Sequence, residues 1–103
     1  MIPEFSEDPR YGAWPFWVLE LDPSASVADI EKAARDITAK LQFGMAGVER
    51  FEVPNATLIR DEFLVREAKA ALQDPGRRLT AEFWYVEPGL LKRLRDEAEQ
   101  QKH

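Results

Sequence analysis

SVADIEKAARDITAKL, residues 26–41, is the stretch on which the reading of this chain turns. Val27, Ile30, Ala33, Ala34, Ile37 and Leu41 recur at steps of three and four, which puts them on one face of a helix, while Glu31, Lys32, Arg35, Asp36 and Lys40 fall largely on the other. Ser26 followed three positions on by Asp29 is a capping arrangement, a hydroxyl and an acidic side chain meeting the free amides of a helix start. The pattern predicts an amphipathic helix of about four turns.

On its N-terminal side, Asp22-Pro23-Ser24-Ala25 reads as a turn. Ahead of the turn, Trp14-Pro15-Phe16-Trp17-Val18-Leu19-Glu20-Leu21 is dense in large apolar groups, too short for a stable helix unless it docks on something bigger. Pro15 suits its first turn, where a missing N–H costs nothing. Residues 1–12 hold Pro3, Pro9 and Gly12 among acidic side chains and read as a flexible arm, with no basic segment leading into an apolar run as a signal peptide would require.

On the C-terminal side, Gly44 and Gly47 break the helix, and the stretch to Asn55, with Pro54, reads as a connecting loop of about a dozen residues. A second helix is expected next, with Leu58, Phe63, Leu64, Ala68, Ala71 and Leu72 inward and Arg60, Asp61, Glu62, Arg66, Glu67 and Lys69 on a solvated surface. It stops near Asp74-Pro75-Gly76, where Asp74 can cap and Pro75 can open a short helix through Arg77, Arg78, Leu79, Glu82 and Phe83. A last helix over residues 90–101 has a thin apolar stripe, Leu90, Leu91, Leu94 and Ala98. The resulting expectation is an all-α bundle: a short helix, an antiparallel long pair, a short fourth helix and a C-terminal helix, divided as an arm at 1–12, a domain at 13–86 and the last helix at 87–103.

Several function classes are disfavoured by composition. The chain has 103 residues and a formal charge of −5, which suits neither a phosphate backbone nor an anionic membrane, and points instead to basic or apolar protein surfaces. No stretch of about 18 uncharged apolar residues occurs, as a spanning helix would need. There is no cysteine, which suits a reducing compartment and makes the cytoplasm the expected location. The single histidine is His103, so neither Ser24, Ser26, Thr38, Thr57 nor Thr80 has an imidazole to activate it. Catalytic residues, a metal site and a cofactor are therefore not expected, and the chain is not expected to be an enzyme.

The order of elements, together with four local stretches, resembles the J domain of DnaJ-type co-chaperones. Residues 15–21 look like the opening aromatic segment, which in the family ends in glycine. Ser24-Ala25-Ser26 resembles the turn before the second helix. Ile30-Glu31-Lys32-Ala33-Ala34-Arg35 is similar to Ile-Lys-Lys-Ala-Tyr-Arg, and residues 67–75 to Glu-Ala-Tyr-x-Val-Leu-x-Asp-Pro, with Arg77-Arg78 after it. The His-Pro-Asp tripeptide through which the family engages its ATP-driven chaperone would fall at Gln42-Phe43-Gly44, which keeps none of its side chains. The face of the second helix is mixed in charge rather than basic. The chain looks closer to bacterial J-like modules that lack the tripeptide and end in an aromatic run, here Glu82-Phe83-Trp84-Tyr85, with Arg60-Asp61-Glu62 ahead of the third helix and Arg78-Leu79 after it.

What this resemblance implies is bacterial origin and a binding role; with the cytoplasmic expectation and the missing tripeptide, the expected protein is an adaptor that holds a protein partner without stimulating a chaperone ATPase. The alternatives are a divergent co-chaperone that still recruits that ATPase, and a structural subunit of a larger assembly. Trp14, Trp17, Phe43, Met45, Arg78, Trp84 and Tyr85 are the candidate partner-binding residues, with Trp14, Trp84 and Tyr85 expected in an exposed patch. The apolar segment 43–48 is expected to need a cover, supplied by the protein's own helices or by a partner. A nucleic acid or a membrane is not an expected partner, and the C-terminal helix could pair weakly with its copy in a homodimer.

Overall fold

The computed structural model describes residues 11–53, 56–85, 93 and 96–98. In chain order these form α1 (Trp14–Val18), α2 (Val27–Gln42), β1 (Arg50–Val53), β2 (Ala56–Ile59), α3 (Glu62–Gln73) and α4 (Pro75–Trp84). Helix α3 lies at the centre, touching α1, α2 and α4. Gln42 at the end of α2 donates from Nε2 to Glu62 Oε1 at the start of α3, 2.9 Å away, so the two helices run back along each other.

Helices α2, α3 and α4 each begin on a side-chain cap that the sequence announces, whereas α1 follows Ala13 with no side-chain cap. Ser26 Oγ accepts from Asp29 N at 3.1 Å while Asp29 Oδ2 accepts from Ser26 N at 2.9 Å, closing the capping box of α2. Asp61 accepts from Leu64 N at 2.8 Å to start α3, and Asp74 accepts from Gly76 N and Arg77 N to start α4 behind Pro75. The inward stripe of α2 is narrower than expected: Ile30, Ala34 and Ile37 are buried, but Val27 faces solvent. In α3, Val65 joins Leu64, Ala68, Ala71 and Leu72 in the core.

The expectation of an all-α fold is overturned by the hairpin between the long helices. β1 and β2 pair antiparallel, with Phe51 opposite Leu58 and Val53 opposite Ala56, so the architecture is a small mixed α and β fold. The supposed loop to Asn55 contains β1, and Leu58, assigned to the second helix, lies in β2. Along β1 the burial alternates, Phe51 and Val53 inward and Arg50 and Glu52 outward, the period-two pattern of a half-buried strand. The inward side chains belong to the same core as α1, which touches β1.

Arg60 overturns a second expectation. It is 4% exposed, not on a solvated surface. Nε donates to Val48 O at 2.8 Å, Nη1 to Val18 O, and Nη2 to Glu20 Oε2 at 2.9 Å. One guanidinium thus joins the end of α1 to the segment entering the hairpin, and Val18 O is among the carbonyls a helix terminus leaves without an internal partner.

Both α1 and α2 end in the same way. Leu21 N bonds Phe16 O at 2.8 Å and Glu20 N bonds Trp17 O at 3.1 Å; Met45 N bonds Lys40 O at 3.2 Å and Gly44 N bonds Leu41 O at 3.1 Å. These are paired Schellman bonds, which require a left-handed residue between them. Gly44 fills that place at φ +70°, whereas at the end of α1 it is filled by Glu20 at φ +57°.

Candidate partner-binding surfaces

Trp14 and Trp17 do not belong to an exposed patch. All five residues of α1 are buried, because a helix this short persists only when its side chains fill a core built by other elements. Tyr11 meets Trp17 edge-on with ring centroids 6.5 Å apart, so at least this residue of the segment expected to be a flexible arm packs on the domain; residues 1–10 lie outside the described part.

Tyr85 is half-buried and packs edge-on against Phe16 at 5.7 Å, which makes its ring part of the core margin. Arg78 is also turned to internal work. Its Nε donates to Glu82 Oε1 at 2.9 Å, and Nη2 donates to Pro23 O at 3.2 Å and to Ala25 O at 2.7 Å. Its guanidinium stands 5.9 Å from the Phe16 ring centroid. Arg78 therefore ties α4 to the turn ahead of α2.

Trp84 is 43% exposed, and Phe83 beside it is 78% exposed, with their rings edge-on at 5.2 Å. Leu79, one helical turn before Phe83, is 67% exposed. Sequence reasoning named Trp84 but missed Leu79 and Phe83 as surface residues. The signal was their four-residue spacing with Ala81 between them, since a ten-residue helix whose buried member is Ala81 must turn its larger side chains outward. Trp84 also lies against the backbone of Gly12: a Cβ there would stand 2.5 Å from Trp84 Cγ, so glycine permits the approach.

Phe43 and Met45 lie at the C-terminal turn of α2, with Phe43 86% exposed. The Schellman bonds account for the backbone of this segment without supplying a cover for its side chains. Of the last helix, Arg93 and Asp96–Ala98 are described; all are helical and exposed, and Leu90, Leu91 and Leu94 lie outside the described residues.

Among the described residues no group of three or more His, Cys, Asp or Glu is placed to hold a metal, and no helix is long and apolar enough to cross a membrane. Among the described residues, two carboxyls are perturbed. Asp22 is held below its ordinary value by hydrogen bonds from the hydroxyl and then the amide of Ser24, and Asp29 by the Ser26 amide and then its hydroxyl. Compared with known proteins, the chain matches no family model, no curated sequence and no solved structure.

Proposed function

We propose that this chain is a non-catalytic protein-interaction module, a J-like arrangement of helices without the His-Pro-Asp tripeptide, whose α4 face holds a partner protein in the cytosol. The observation that carries the reading is the apolar face of α4: Leu79 and Phe83 on one side of the helix, 67% and 78% exposed, with Trp84 against Phe83. Large apolar side chains gathered on one surface lose contact with water when a partner covers them, and aromatic rings are favoured anchors for that role. The helix order and the pairing of α2 with α3 support the J-like part of the reading. Gln42-Phe43-Gly44 offers no titratable or charged group with which to trigger a chaperone ATPase.

Affinity capture from the native host with the wild-type chain and with Phe83→Glu tests the proposal. A discrete protein held by the wild type is expected to be lost with the variant, and an unchanged set of captured proteins overturns the reading. Addition of the domain to a purified ATP-driven heat-shock chaperone is expected to leave ATP turnover unchanged; a several-fold rise would favour a co-chaperone instead.

A further inference from the structure

Helix α4 carries two complementary shapes on the side turned away from the core. Its buried member is Ala81, and at about 3.6 residues per turn the positions two before and two after it point the opposite way. Leu79 and Phe83 occupy those positions, 67% and 78% exposed, and form one ridge of side chains four residues apart. The Trp84 ring stands edge-on to Phe83 at 5.2 Å and braces that end of the ridge.

Beside the ridge runs a furrow. Gly76 and Thr80, also four residues apart, are small and exposed, and a Cβ at Gly76 would meet only Asp74 Oδ1, at 3.6 Å. The polar groups of the furrow are already paired: Thr80 Oγ1 donates to Gly76 O at 3.2 Å, and Gly76 N donates to Asp74 Oδ1 at 3.0 Å. A surface paired in this way leaves no group unsatisfied when water departs. None of the four positions is charged, and Glu82, the charged residue of α4 nearest to them round the helix, is held by Arg78 Nε at 2.9 Å.

A two-fold contact between identical molecules requires one patch to carry both halves of the fit. Ridge and furrow here follow the same four-residue rows, and helices whose four-residue ridges enter each other's grooves pack in the commonest crossing geometry of globular proteins. A foreign protein would need only to cover the ridge, whereas the furrow beside it matches the ridge of a copy. We infer that α4 receives α4 of a second copy of this chain, with Leu79 and Phe83 of each copy seated over Gly76 and Thr80 of the other. The inference deepens the reading of the α4 face as a protein-holding surface and rests on it, because it names what is held.

The face presents Leu79, Phe83 and part of Trp84, well short of the roughly 800 Å² per partner of a stable complex. The pair is therefore transient, with a dissociation constant on the order of 0.1 mM. Each copy bears a formal charge of −5, so added salt screens the repulsion and strengthens the pair, whereas salt would weaken a contact with a basic protein.

The test is sedimentation equilibrium of the full chain between about 0.02 and 1 mM, in low and high salt, with amide NMR over the same range. The average mass is expected to rise above 11.8 kDa with concentration, more steeply in high salt, and the shifts to centre on residues 76–83. Gly76→Leu separates a fitted contact from a general attraction of apolar surface. Its Cβ has room in the folded chain, it favours the helix over glycine and it adds apolar area, yet it fills the furrow, so pairing is expected to weaken about tenfold. Phe83→Glu is expected to abolish pairing. A monomer at every concentration, concentration-dependent shifts away from α4, or pairing by Gly76→Leu as strong as that of the wild type would each overturn the inference. If the chain stays monomeric while Phe83→Glu still abolishes capture, the α4 face serves a different protein and the self-pairing alone falls.

Discussion

Glu20 shows how a single residue holds an unfavourable conformation. A non-glycine residue in the left-handed region costs about 1–2 kcal/mol, because its Cβ crowds the backbone. The position needs that conformation to complete the end of α1, and the Arg60 guanidinium meets the Glu20 carboxylate at 2.9 Å. Glu20 is mostly solvated, so the ion pair itself stabilises little; the two backbone carbonyls that Arg60 satisfies matter more. Glu20→Gly is therefore expected to be more stable than Glu20→Ala by about 1 kcal/mol, since both lose the carboxylate and only glycine relieves the strain. Urea unfolding of the two variants decides the matter, and equal midpoints would refute the strain.

At the scale of elements, the hairpin is held by two inward side chains. Phe51 is buried in the common core, so Phe51→Ala is expected to cost about 3–4 kcal/mol, measured by denaturant unfolding. A loss below about 1 kcal/mol would mean that the segment is only a surface loop. Helix α2 depends on its cap in a way that acid should reveal. Asp22 and Asp29 are both held below their ordinary values, so their stabilising contribution is present above about pH 4, where the unfolded chain titrates, and is lost as pH falls through the lower folded values. Replacement of both by asparagine is expected to flatten that acid limb of a stability-against-pH curve, and an unaltered limb would show that other carboxyls govern it.

Across the whole molecule, the division of labour is between aromatics that build the core and aromatics left outside it. Phe16 and Trp17 are buried in α1, which touches α3, α4 and β1, whereas Phe83 projects from α4 and Trp84, seated against Gly12, stays partly open to water. Phe83→Glu is expected to change thermal stability by no more than about 0.5 kcal/mol, because its side chain has little burial to lose. A large destabilisation would mean that Phe83 packs against the domain, and would undercut the use of that variant in capture experiments.

The legible parts of the sequence were those governed by neighbours within a turn or two. Ser26 and Asp29 announced the start of α2, Asp74 and Pro75 that of α4, and the three- and four-residue spacing placed Ile30, Ala34, Ile37, Leu64 and Leu72 inward. The hairpin was not legible: its strands are four residues each, Pro54 reads as a breaker, and Phe51 and Val53 declare themselves only once α1 is there to cover them. The site divided in the same way, with Trp84 exposed as expected and Trp14, Trp17 and Arg78 drawn inward. Local amide capping and helical periodicity are properties of the chain itself. Which rings face water, and whether Arg60 is solvated or enclosed, depends on segments some forty residues apart meeting, a matter of long-range packing that no local pattern encodes.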